Sequence, residues 1–446
     1  MFQRFRVLQG TIAGLALWIG AVASVSAQPA VIVNPNSQAQ LFRVALQRFA
    51  ERSADPRAGR AERFRRDIGD ALEFSSFFQL IDAAAYLAPV ETASLEKPNW
   101  VCADWTQISG DVFVEGELAA APGGGLSATF HVWDTASCKA VLRKRYRQSA
   151  GASLESIAKR IADDIVLAFI GVRGVASTEI AYVSDRSGQQ EIWVMDADGG
   201  HARAATKNRS LNNFPGWSPS GDAILYTSYR HRNRPHVFQV TRGGGRPPGL
   251  LLPQSFAQYQ QYRAVYHPSG RTVAAVLTVN GNQEIFRFDL GGGYRRLTNN
   301  RAIEVSPTWS PDGSKIAFVS DRTGAPQIYV MSSDGSNVQR LTYTGTYNTS
   351  PAWSPDGAWI VYETRIGGQM DLWLLDPASG ASSPLVQHPR GDEGPTWAPN
   401  SRLIAFSSTR RGRADIYVSD LSGQRLMRVT EAAGNNKAPA WGPFPR

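Results

Sequence analysis

Acid–base or metal chemistry at neutral pH would fall first to the six histidines, His131, His201, His231, His236, His267 and His388. No two have the His-x-x-x-His spacing that puts two imidazoles on one helix face. No Gly-x-Ser-x-Gly elbow presents a serine nucleophile. Asp196-Ala-Asp198-Gly199-Gly200 begins like a calcium loop but lacks the later acidic ligand and the closing Glu, and a tight turn accounts for it. Asp185-Arg186 and Asp321-Arg322 recur at one position of a repeat, which points to structural pairing, because a catalytic residue is needed once. The expectation is no catalytic residue, no metal and no cofactor.

Residues 1–27 have the pattern of a secretory signal: Arg4 and Arg6, an apolar stretch over 11–25, then Val25-Ser26-Ala27 as a cleavage site after Ala27. A retained membrane anchor would need about twenty apolar residues, and this stretch is shorter and diluted by Gly, Ser and Thr. An exported chain with two cysteines fits one disulfide, Cys102 to Cys138, the alternative being two free buried thiols.

Residues 28–172 are of mixed α/β pattern, with strands expected at 42–49, 77–81, 111–118, 126–133 and 140–147. Helices are expected over 57–73 and 153–170, the second carrying Leu154, Ile157, Ile161, Ile165 and Phe169 on one face.

From 175 to 446 the chain repeats itself. Pro307-Thr-Trp-Ser-Pro-Asp-Gly opens one unit, Pro351-Ala-Trp-Ser-Pro-Asp-Gly the next, Pro395-Thr-Trp-Ala-Pro-Asn-Ser a third. The opening aromatic falls at Trp217, Tyr266, Trp309, Trp353, Trp397 and Trp441, a period of about 44 residues that suits a four-stranded propeller blade. The repeats begin at Glu179 with a second strand and end at Trp441 with a first strand. Six blades are complete only if the C-terminal strand pairs into the first. The expected fold is β-rich and two-domain: an N-terminal α/β domain, then a six-bladed β-propeller closed by its last strand.

A net charge of +9, from 47 basic and 38 acidic residues, invites an anionic partner. Most of it is Arg spread through the repeats. The densest run, Arg143-Lys144-Arg145 with Arg147, lies on one predicted strand, where alternation divides it between two faces, and it reads as a solvated edge that discourages strand pairing. Nucleic-acid binding is not expected. The connections that open each blade are polar and differ from one another, as recognition loops on a rigid scaffold do. They supply the candidate contacts Asn212, Asn213, Tyr262, Arg263, Glu304, Val305, Asn348, Thr349, Asp392, Glu393, Asn436 and Lys437.

With its export signal, small α/β domain and six Pro-x-Trp-Ser-Pro-Asp-Gly units, the chain resembles the TolB family of the Tol–Pal cell-envelope system. That resemblance implies a periplasmic, monomeric, non-enzymatic protein that touches membranes only through partners and supports outer-membrane integrity and constriction at division. It implies that the lipoprotein Pal binds the propeller mouth at the twelve residues above. It also implies that residues 28–36 are a flexible partner-binding segment and that TolA binds the mature N-terminus there, at Gln28, Pro29, Ala30, Val31, Ile32 and Val33, whose Val-Ile-Val could add a strand to a partner sheet. Tyr259-Gln-Gln-Tyr262-Arg263 departs from the small or His-containing loop expected in the second connection. The rival class is an exported propeller enzyme or sugar-binding protein that uses the channel, with Glu304, Asp392 and Glu393 as its mouth carboxylates.

Overall fold

The computed structural model describes residues 41–52, 59–97, 99–151, 153–243 and 249–445. The signal at 1–27, its cleavage site and the segment 28–36 lie outside the described residues.

The N-terminal part begins with β1 (Phe42–Leu46), β2 (Ala50–Arg52) and α1 (Arg60–Phe74). It continues with β3 (Phe78–Leu80), α2 (Cys102–Thr106), the long strands β4 (Val112–Ala121), β5 (Gly125–Asp134) and β6 (Lys139–Gln148), and α3 (Leu154–Ile170). The sheet order is β3-β1-β4-β5-β6, with β2 also on β4, so β6 is an edge. β1 is parallel to β3 and β4, and β4, β5 and β6 form an antiparallel meander.

Phe64, Ile68 and Leu72 of α1 and Ile157, Ile161 and Ile165 of α3 stand four residues apart on one helix face and bury fully against Val112, Val114 and Leu118 of β4. Each such side chain contributes about 1.5–3 kcal/mol relative to exposure. On the other face of β4, Phe113 stacks on Trp105 of α2. Cys102 and Cys138 are disulfide-bonded, tying α2 to the β5–β6 turn.

Beyond residue 178 six four-stranded sheets follow. Five use consecutive strands, and the sixth joins Asn436–Trp441 to Glu179–Ser184, Glu191–Asp196 and Arg203–Ala204. The register Asn436↔Ser184 to Trp441↔Ile180 closes the ring with the last strand, as the repeat boundaries require. The recurring tryptophan clamps neighbouring blades. Trp217 Nε1 donates to Ala440 O at 3.0 Å, Trp309 to Val265 O at 3.3 Å and Trp397 to Ala352 O at 2.9 Å. The recurring Thr pins each outer strand, with Thr206, Thr298, Thr342 and Thr430 accepting from the N–H of Ile192, Ile285, Ile328 and Ile416 at 2.8–2.9 Å.

The two parts meet at the end of the propeller where the innermost strands finish. Phe74 packs on Trp441 there, and Asn400 Nδ2 donates to Arg173 O. Asp163 of α3 accepts from Ala176 N–H at 2.8 Å and Ser177 N–H at 3.1 Å, which holds the linker. Lys159 Nζ lies 2.7–2.8 Å from Glu155, Asp196 and Asp198. Burial opposes its charge, but the three carboxylates outweigh that and hold its pKa above the usual lysine value. Glu155, Asp196 and His201 form a metal-capable group by distance, yet the Lys159 ammonium is already bound to two of the three.

Candidate partner-binding site

Each innermost strand starts at the free mouth of the channel, opposite the N-terminal domain, and its first three positions do three different jobs. The first holds Asn212, Gln261, Glu304, Asn348, Asp392 or Asn436, all essentially without exposed surface. Five of these were expected to touch a partner, and the structure places them elsewhere. Asn212, Asn348 and Asn436 donate to Glu191, Gln327 and Asp415 on the third strand of the preceding blade, at 2.9, 2.8 and 3.3 Å. Glu304 accepts from Arg322, Ser320 and Asn300, each at 2.9 Å, and Asp392 accepts from Arg410 at 2.9 Å. Buried polar groups need such partners: the three asparagines are spent on joining blades, and Glu304 and Asp392 on holding Arg322 and Arg410 within their own blades. The repeated arginine is explained alongside: Arg186, Arg322 and Arg410 each reach back to the first-position residue of their blade.

The second position, Asn213, Tyr262, Val305, Thr349, Glu393 and Lys437, is partly or fully exposed at the mouth. The third carries Phe214, Arg263, Ser306, Ser350, Gly394 and Ala438, at φ of 53, 31, 54, 50, 64 and 49°. Five of these six are not glycine, and left-handed backbone costs an L-residue about 1–2 kcal/mol. In every blade the inner pairing shifts register at this point, a bulge that turns the third side chain toward the channel. Strain kept at five of six equivalent places around one opening is the form functional strain takes.

The channel behind this rim has a volume of about 440 Å³ and is lined by Phe214, Arg263, Ser350, Gly394, Ala438 and the prolines that follow most of them. Arg263 lies over the Phe214 ring at 5.9 Å and donates to Ser306 Oγ at 3.3 Å. Burial pushes its guanidinium below the ordinary value, and Glu363 pulls the other way. Glu363 sits on the second strand of its blade, where the other blades carry Val183, Thr227, Val276, Val319 and Ser407. Burial raises its pKa most, opposed by the Gly394 N–H, which donates to it at 2.5 Å, and by Ser350. Exposed Leu211, Phe214 and Ile303 add an apolar sector to the mouth. A surface with an exposed aromatic in Phe214, cations in Arg263 and Lys437, acids in Glu363 and Glu393 and polar rim positions can seat an extended or loop segment of another protein. Glu363 lies outside the blade-opening connections and was not among the expected contacts. Glu363 could have been found by lining up the repeats, since it is the lone acid at its position.

A family model described as the TolB beta propeller domain matches residues 168–445, and one described as the TolB amino-terminal domain matches residues 31–141. The chain belongs to the TolB family. A TolB homolog of Chlorobium luteolum is 31% identical over 274 residues, 60% of this chain and 59% of the relative. The Tol-Pal system protein TolB of Anaeromyxobacter dehalogenans is 35% identical over 242 residues, 53% of each chain. This chain therefore spans little more than half the length of the curated TolB relatives it matches. The crystal structure of TolB from Acinetobacter baumannii superposes with a TM-score of 0.77 at 21% identity, over 91% of this chain and 97% of that one, which establishes a shared fold.

Proposed function

We propose that this TolB-family chain is a periplasmic, non-enzymatic scaffold of the Tol–Pal system. Its channel mouth binds the lipoprotein Pal, and residues 28–33 of the mature chain bind TolA, in support of outer-membrane integrity and constriction during division. The observation that carries the proposal is the rim itself: six equivalent left-handed positions of one framework, five of them strained, carry Phe, Arg, two Ser, Gly and Ala around a single opening. The lining holds no histidine or cysteine among the described residues, which favours binding over acid–base or nucleophilic chemistry. The mouth is also the end of the propeller that the N-terminal domain leaves free, so both partners could bind at once. The test is binding of purified Pal and TolA to the mature chain and to the same chain lacking residues 28–33. TolA binding should be lost and Pal binding kept; loss of both, or of neither, contradicts the assignment.

A further inference from the structure

The basic run at 143–147 is divided between the two faces of β6, as alternation suggested. Lys144 turns to the helix side, where its Nζ lies 2.8 Å from Asp164 of α3. Arg143, Arg145 and Arg147 share the opposite face of β6, and all three are exposed. On an antiparallel strand, residues two apart rise about 7 Å, so the three guanidinium stems span about 14 Å in a row. The facing register on β5 is His131↔Arg143, Thr129↔Arg145 and Ser127↔Arg147. Arg145 Nε donates to Thr129 Oγ1, and Arg143 lies over the Trp133 ring at 5.6 Å. Among the described residues none of the three arginines has a carboxylate within ion-pairing distance. Two acids share this face on β4: Glu115 is occupied by the indoles of Trp100 and Trp133 at 2.9 and 3.0 Å, and Glu117, across β5 from Arg145, lies 3.6 Å from Arg52. The helices cover the other face of the sheet, and the segment around α2 covers the β1–β4 half of this one, so the β5–β6 half is open. Exposed Val141 precedes the row in the chain, and exposed Val101 follows Trp100, whose ring meets that of Trp133 at 5.1 Å.

We propose that this face docks on the surface of an anionic phospholipid bilayer. A row of unpaired guanidinium groups on an open sheet face matches negative charge spread over an area, where a converging cluster would match a single anion. Arginines at headgroup level with indoles and valines at one end are what an interface between water and lipid retains. The proposal gives the chain a direct membrane contact, beyond partner-mediated attachment, and does not depend on the channel.

The probe is co-sedimentation of the mature chain with vesicles of phosphatidylcholine plus phosphatidylglycerol, against phosphatidylcholine alone, at low and at physiological ionic strength. Wild type should pellet with the anionic vesicles only, and less as salt rises. Arg143→Gln/Arg145→Gln/Arg147→Gln should bind on the order of 100-fold more weakly, from the roughly fivefold that each Arg near such a surface supplies. Arg147→Gln alone, which removes no hydrogen bond given by the structure, should lose roughly fivefold and guards against misfolding of the triple variant. Arg271→Gln/Arg301→Gln/Arg411→Gln removes the same charge from exposed propeller positions and should bind like wild type. Failure of wild type to pellet at low salt, or equal losses in the two triple variants, overturns the proposal. Stronger retention on duplex DNA or isolated peptidoglycan than on the vesicles overturns the choice of occupant.

Discussion

Glu304 and Glu363 show how differently two carboxylates near one opening can be used. Glu304 sits at the start of its innermost strand, fully enclosed, with Arg322, Asn300 and Ser320 around one oxygen. Removing one member of a buried ion pair strands its partners. Glu304→Ala should therefore cost about 3 kcal/mol in denaturant unfolding, toward the low end because Arg322 is partly exposed. Glu363 faces the channel, and burial raises its pKa. A carboxyl whose folded pKa lies above its unfolded one binds more protons in the native state, so stability falls as pH rises from about 4.5 through the raised value. Glu363→Gln keeps an acceptor for the Gly394 N–H and should flatten that part of the stability–pH curve. A wild-type slope preserved in the Gln variant would contradict the assignment. Much of this was legible and some was not. A polar, variable residue at the start of each blade looks the same in sequence whether it faces a partner or a neighbouring blade; Asn212 and Asn213 are adjacent, and only the strand's pleat separates their roles.

At the scale of elements, β6 and the innermost strands carry most of what lies beyond the fold. The period of the opening aromatic and the incomplete units at both ends were enough to place every blade and the closing strand. The bulge at the third position was not readable, because Phe214, Arg263, Ser306 and Ser350 share no residue type that favours positive φ. It arises where the innermost strands crowd around the channel. On β6, alternation correctly separated Lys144 from its neighbours, but what lies over each face depends on α3 and on the segment around α2. That segment is tied by Cys102–Cys138 across a sequence separation of 36. The chain-entropy model assigns such a loop about 3–4 kcal/mol. Cys102→Ser/Cys138→Ser should lower the stability of the N-terminal domain by that order in calorimetry and leave the propeller transition in place.

At the scale of the molecule, a rigid ring with strained rim positions is joined at its far end to an α/β domain. Phe74 on Trp441 and the Lys159 carboxylate cluster make the joint, so any communication between the N-terminus and the channel must cross it. The central claim is that the rim is a protein-binding surface. It is tested most directly by titration calorimetry of Pal against the mature wild type, Phe214→Ala, and Lys315→Glu at the opposite end of the channel. A buried aromatic anchor typically accounts for about 2 kcal/mol of an interface. Phe214→Ala should thus weaken Pal by roughly thirtyfold, while Lys315→Glu binds as wild type does. Unchanged affinity in Phe214→Ala, or a loss confined to Lys315→Glu, would contradict the account.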